Sequence, residues 1–402
     1  MQRQNLQISI LVGGQWHAFD LAREFYRQGN LHRLITTYPS RTRKFGIPDA
    51  KVVSLPLSLF LHKSLEYIGG EQLTNKFQYF NCQLFAQLAW PYLQGSDIIQ
   101  GWSSFCEPAM HWAKSAHIPF VVYRGSAHIQ VQNHLLKAEY QKLGLTWPGT
   151  HPETIKQELR EYQLADYICV PSTFVEASFI SQGFPHNQLF CNLLGADLGK
   201  FYRLEEQPNL PNFRVIYAGS LTVRKGIHYL IKGFQQADIP GSQLYLVGGI
   251  TPETHFLLGK GDHRVHCTGQ VPQAELANYY HKSSVFVMPS IEEGMATVQA
   301  QALACGLPLV CTTNTGGEDL LRLCGVAPRK IENGIREYPA GYVVPVGDSQ
   351  AIATCLTLLA GNPEYYANKR AAALMLRENE LSWQNCAQRA TDFYKYLVDK
   401  SS

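Results

Sequence analysis

Short runs of β-branched and aromatic residues alternate with longer amphipathic stretches along nearly the whole chain, the rhythm of parallel α/β units. In the first half this pattern predicts strands at Ile8–Val12, Arg33–Thr37, Asp97–Gln100, Phe120–Tyr123, Tyr167–Val170 and Leu189–Leu193. Helices are expected over Ala18–Gln28, within Ser64–Tyr92 and over Glu153–Leu164. The periodicity then lapses in KFYRLEEQPNLPNF (Lys200–Phe213), which holds two prolines. It resumes with strands at Arg214–Ala218, Gln243–Val247, Arg264–Thr268, Ser284–Met288 and Leu307–Cys311, and a helical tail follows Gly361. The expected organisation is a first doubly wound domain over residues 1–200, a linker at 201–213, a second over 214–381 and a terminal helix at 382–402. Ligands of such sheets sit beyond the carboxyl ends of the strands, where glycine-rich turns open helices, so a cleft between the two domains is the place to look for chemistry.

Composition narrows the function classes. A chain of 402 residues with 45% hydrophobic and 17% charged side chains has ample material for packed cores and is too apolar to be disordered. No run approaches the roughly 20 apolar residues that span a bilayer; the best, Val52–His62, is short and interrupted by Pro56. The amino terminus runs straight into a strand-like segment and does not resemble a secretory signal. The ten cysteines are scattered, with no C-x-x-C pair, as expected of reduced, mostly buried thiols in the cytoplasm. Residues 1–63 carry nine basic and three acidic side chains, Arg41, Arg43, Lys44, Lys51 and Lys63 among them, whereas residues 201–402 are neutral. Such a patch draws anions, namely acidic headgroups, phosphates or an anionic substrate. A pI near 8.2 disfavours nucleic acid. Val52–Leu61, between Lys51 and Lys63, is expected either to rest on an anionic lipid surface or to pack the edge of the first core.

Four turns carry the candidate chemistry. Val12-Gly13-Gly14-Gln15-Trp16-His17 joins a strand to a helix, so its backbone can approach an anion at the helix start. It lacks the third glycine and the downstream acid of a dinucleotide fingerprint, which argues against a dehydrogenase. Tyr123-Arg124-Gly125-Ser126-Ala127-His128 offers Arg124, Ser126 and His128 at another strand end. Ala218-Gly219-Ser220-Leu221-Thr222-Val223-Arg224-Lys225-Gly226 places two fixed cations after a strand, suited to a diphosphate without a divalent metal. Pro289–Pro308 is the most specific: a strand end, the acidic pair Glu292-Glu293, then Gly294-Met295, and a small-residue helix carrying Gln301. Gln301 follows Glu293 by a little over two turns and points roughly the same way. His263 and His266, three apart on a strand, point to opposite faces and make no metal pair.

These four turns in this order resemble the retaining family 4 glycosyltransferases of the GT-B fold, the glycosyl transferases group 1, from the Gly-Gly turn to the helix at Trp383. The resemblance implies two Rossmann-like domains facing a central cleft, with the terminal helix packing back toward the first domain. It implies that Gly13 and Gly14 lie over a donor diphosphate whose phosphates Arg224 and Lys225 bind, with Gly219 and Ser220 in the same turn. Glu293 would grip the transferred sugar beside the N–H groups of Gly294 and Met295, and Gln301 would hold the ribose. Leu193–Phe201 is similar to the family's interdomain segment. Two positions depart from the pattern: Gln301 replaces a glutamate, and Ser220 stands where an arginine is usual. His128 or Arg124 would occupy the place of the family's usual histidine, with His128 taken as catalytic and Arg124, Ser126 and His17 on the acceptor side. The implied reaction is metal-free, front-face transfer of a sugar from a UDP- or GDP-sugar to a glycan or lipid-linked hydroxyl, with no further cofactor. It would take place in cell-surface polysaccharide or glycolipid synthesis, and the basic stretch of residues 1–63 adds the expectation of a cytoplasmic protein in peripheral contact with the inner membrane face. The alternatives are an epimerase or phosphorylase on the same fold, and a non-catalytic nucleotide-sugar-binding subunit.

Overall fold

The computed structural model describes residues 5–38, 42–204, 212–259 and 261–401. Most of the expected linker, residues 205–211, lies outside them, as does Arg41 of the basic stretch. The first sheet holds β1 (Ile8–Val12), β2 (Leu31–Thr36), β3 (Val52–Ser54), β4 (Ile98–Trp102), β5 (Phe120–Tyr123), β6 (Tyr167–Val170) and β7 (Leu189–Cys191). All run parallel, in the order β3-β2-β1-β4-β5-β6-β7. The second sheet holds β8 (Arg214–Ala218), β9 (Gln243–Val247), β10 (Val265–Gly269), β11 (Val285–Met288), β12 (Leu309–Thr312), β13 (Arg329–Lys330), β14 (Arg336–Tyr338) and β15 (Gly341–Val344). Its order is β10-β9-β8-β11-β12-β15-β14-β13, antiparallel only among the last three. Helices cover both faces, so the central strands β1, β4, β5, β11 and β12 are buried along their whole length.

In each sheet the strand order reverses at one point, between β1 and β4 in the first and between β8 and β11 in the second. A crevice opens at such a point beyond the carboxyl ends of the flanking strands. The Gly13-Gly14 turn follows β1, and the Arg224-Lys225 and Glu292-Glu293 loops follow β8 and β11.

The helix Trp383–Ser401 belongs spatially to the first domain, as its pattern dictates. Trp383, Cys386, Ala387, Ala390, Tyr394 and Leu397 recur every three to four residues and are all buried. The Tyr394 hydroxyl donates to Gln100 Oε1 at 2.7 Å, and Arg389 donates to the Leu193 carbonyl at 2.8 Å.

Two features differ from the sequence expectation. Val52–Leu61 is not one element: Val52–Ser54 is the edge strand β3, and a helix, Leu57–Ala89, starts just after Pro56. The meander β13–β15 has no apolar run in its first two strands (RK and REY), so nothing in their patterning announced it. Among the described residues no helix is long and apolar enough to cross a membrane.

Candidate active site

Gly226 brings the cationic turn against the acidic loop. It is left-handed at φ 65°, and a Cβ there would lie 2.0 Å from the Pro289 carbonyl oxygen, so only glycine permits the approach. The Ile291 N–H donates to the Arg224 carbonyl at 2.9 Å, locking the two loops in register. Arg224 Nε then lies 3.0 Å from Glu292 Oε2, and its Nη2 lies 3.6 Å from Glu293 Oε1. Lys225 forms an ion pair with Glu293. Burial, and then the neighbouring Arg224 charge, pull the Lys225 ammonium down to about 7.

Glu292, with 0% exposure, clasps the two domains together. One oxygen accepts the Ala127 N–H at 2.8 Å and the other accepts the Gln132 amide at 2.8 Å as well as Arg224. Burial alone would raise its carboxyl; the Arg224 charge and these donors hold it below its ordinary value. Gly294 makes the seam tight, since a Cβ there would fall 1.9 Å from the Gly125 carbonyl oxygen. The Ser172 hydroxyl donates to the Gly294 carbonyl at 2.7 Å, and Thr173 bonds Asp319 through its N–H and its hydroxyl.

Between the two crevices lies a cavity of about 330 Å³ that brings Arg224, Glu293 and Met295 together with His17, Arg124 and Ser126 of the first domain. Arg224 also donates to the Ser126 hydroxyl at 3.3 Å. Arg124 is already engaged, with Glu158 at 2.9 Å and Gln132 Oε1 at 2.8 Å.

The other candidates sit elsewhere. Gly13 and Gly14 line a separate cavity of about 400 Å³ with Tyr38, Lys63, Asn81 and Phe105. Gly13 has no room for a side chain because the Phe105 ring lies over it, 2.0 Å from where a Cβ would be. Gln301 lines a third cavity, of about 320 Å³, with His17, Asp20, Thr297 and Trp383. Trp16, left-handed at φ 32°, borders all three. Ser220 is exposed, and its carbonyl accepts the Tyr217 hydroxyl at 2.9 Å. The Gly219 N–H is taken by the Val247 carbonyl at 2.9 Å.

His128 is the clear departure from expectation. It does not line the cavity with Arg224 and Glu293: at 1% exposure it caps the helix Ile129–Lys142, its Nδ1 accepting the Gln130 N–H, and its ring packs among Tyr162, Phe179 and Phe184. The strand end puts Arg124, four residues nearer β5, in the cavity instead. Trp16, Trp102, Tyr123 and the bridging Glu292 also belong to the site, with no residue pattern of their own to mark them. Trp102 and Tyr123 end β4 and β5, a signal that strand order alone makes meaningful.

Residues 212–362 match the family described as Glycosyl transferases group 1. A putative colanic acid biosynthesis glycosyltransferase, WcaL of Salmonella typhimurium, is 27% identical over 189 residues, 44% of this chain and 43% of that one. The chain thus spans less than half the length of that curated relative. Among solved structures, a sucrose-phosphate synthase from Thermosynechococcus elongatus superposes with a TM-score of 0.68 at 19% identity, covering 99% of this chain and 100% of the other. HepE from Anabaena in complex with UDP-glucose superposes with a TM-score of 0.64 at 16% identity, covering 97% and 99%. The chain has the GT-B fold, and the stretch that matches the glycosyl transferases group 1 family runs through its second sheet.

Proposed function

We propose that this protein is a retaining family 4 glycosyltransferase that moves a sugar from a UDP- or GDP-sugar to a hydroxyl of a glycan or lipid-linked acceptor during cell-surface polysaccharide or glycolipid synthesis. The observation that carries this reading is the pairing of Arg224 and Lys225 with Glu293 at the second sheet's crevice, facing first-domain groups across one cavity. A donor diphosphate takes Lys225 over from Glu293, and the released carboxylate grips the sugar hydroxyls. The two cations then stabilise charge as it develops on the leaving diphosphate, the role a divalent metal would otherwise fill. Gln301, whose buried Oε1 has no partner, accepts a ribose hydroxyl in the adjoining cavity. Attack comes from the acceptor hydroxyl on the face the diphosphate leaves, and the leaving phosphate takes the proton. The packed seam at Glu292 and Gly294 keeps water from the donor. The name of the Salmonella relative supports the polysaccharide context, and the UDP-glucose complex of HepE supports a nucleotide-sugar donor.

The test is calorimetric titration with UDP and GDP, then turnover of the matching nucleotide sugars with the anomer of the product read by NMR. Nucleotide binding with retained configuration is the expected result. Binding without turnover for any acceptor favours a non-catalytic subunit, and release of free sugar product without transfer favours an epimerase or phosphorylase.

A further inference from the structure

We propose that His17, Trp102 and Tyr123 form the subsite that holds the acceptor as a neutral sugar ring; this rests on the transferase reading and adds the acceptor's class to it. The three residues come from the carboxyl-terminal side of β1 and the ends of β4 and β5, around the point where the first sheet's order reverses. Their rings form one cluster, with centroids 4.9 Å apart for His17–Tyr123, 4.8 Å for Trp102–Tyr123 and 5.7 Å for His17–Trp102. Trp383 of the terminal helix stacks on His17 from the other side, 6.1 Å between centroids.

Each ring carries a polar atom that is buried and has no partner: His17 Nε2, Trp102 Nε1 and the Tyr123 hydroxyl. Trp102 and Tyr123 are only 4% and 3% exposed, so water does not readily satisfy them. Buried polar atoms are ordinarily paired, and three orphans in one ring cluster are a cost that a bound ligand would remove. All three residues line the cavity that also holds Arg224 and Glu293, so what they bind lies against the donor site.

The chemistry of the atoms sets the class of ligand. The indole N–H only donates, the phenol donates or accepts, and a neutral imidazole nitrogen does one or the other. None carries charge at neutral pH, since burial pushes His17 down to about 4 and Tyr123 well above its usual value. An anion would be served by Arg124, but Glu158 and Gln132 already occupy it. Uncharged groups of mixed donor and acceptor character, set on aromatic rings, match the hydroxyls and the apolar face of a pyranose.

The test uses Tyr123→Phe and Trp102→Phe. Tyr123→Phe removes an unpartnered polar atom at nearly constant volume, so Tm is expected to hold or rise; Trp102→Phe also leaves a void where the second ring lay, so it is expected to stay folded with a lower Tm. The probes are methyl α-D-glucopyranoside and methyl α-D-mannopyranoside, followed by saturation-transfer NMR with saturating UDP or GDP. Wild type should bind at least one glycoside, and each variant should lose about tenfold in that affinity while nucleotide affinity stays within about twofold. No glycoside binding by wild type, or equal binding by wild type and both variants, overturns the subsite. Failure of wild type to bind either nucleotide overturns the transferase reading instead, while the glycoside titration run without nucleotide still decides the subsite.

Discussion

Arg224 and Lys225 are where a single side chain carries the most consequence. In the proposed reaction, replacing either by Ala removes a charge-assisted contact to a developing phosphate charge, so kcat/KM is expected to fall by about 2–4 kcal/mol, or roughly 30- to 1000-fold. Steady-state kinetics beside a melting curve checks this, and unchanged kcat/KM in both variants would show that the phosphates lie elsewhere. Glu293→Gln should lose most transfer, while Gln301→Glu should retain it, since Gln301 lines the cavity next to that of Glu293. The cationic and acidic loops stand out in the sequence as ligands for a diphosphate and for hydroxyls; that Arg224 and Lys225 pair with Glu293 needs the strand order that brings the two loops together. His128 was misjudged for a physical reason. A strand's end points at a crevice, but five residues past Tyr123 the chain has already turned into the next helix, and His128 serves that helix as its cap.

The loop between β11 and the helix Thr297–Ala304 acts as a unit, because Glu292 and Gly294 both press on the first domain. Gly294→Ala would drive a methyl into the Gly125 carbonyl, and overpacking of that kind costs about 1–3 kcal/mol. Chemical denaturation should show that loss together with weaker protection of the seam in hydrogen exchange. Glu292→Gln leaves a guanidinium and an N–H without their anion, for about 1–3 kcal/mol at neutral pH; the 30% exposure of the Arg224 side chain favours the lower end. The sign of its pH dependence follows from the depressed carboxyl. Its contribution is complete above the ordinary value of 4.5 and is lost as pH falls through the lower native value. The stability gap between wild type and Glu292→Gln should therefore shrink in acid; a gap unchanged from pH 7 to pH 3 would mean that Glu292 is not the clasp. At this scale long apolar strands were legible to within a residue or two, because parallel strands are buried on both faces and need continuous β-branched runs. The two-residue strand β13 needs no such run and left no trace, and the short edge strand β3 was hidden within the longer apolar segment Val52–Leu61.

The assembly of the whole molecule was legible in kind but not in arrangement. Two alternating blocks implied two doubly wound sheets, yet nothing in a linear pattern says that β1 neighbours β4 or that β8 neighbours β11, and those neighbours decide which strand ends share a crevice. That is why Trp102 and Tyr123 were invisible as site residues while His17, next to a glycine turn, was not. Of the segment Val52–Leu61 only its helical part, with Leu57 and Phe60, still fits a lipid surface, and Tyr67 and Ile68 beyond it extend the stripe. Val52–Ser54 is committed to the sheet, and two of the exposed cations are partly neutralised, Lys63 by Glu66 at 2.6 Å and Arg43 by Asp49 at 2.7 Å. The helix Leu57–Ala89 turns Leu57, Phe60, Tyr67 and Ile68 outward, with 67% of Phe60 and 93% of Tyr67 exposed. Spaced three, seven and one apart, these four lie along one helical face. If that face rests on an anionic bilayer, its apolar side chains supply most of the adhesion, and each remaining cation near the surface adds about 1 kcal/mol. Sedimentation with vesicles of anionic and of neutral lipid should then show binding that favours the anionic ones, weakens only partly at high salt, and drops sharply in Phe60→Ser and Ile68→Ser while nucleotide binding is unchanged. Equal sedimentation with both lipids, or no effect of either serine, would assign this stripe to a protein partner or to nothing, and would leave the donor site as described.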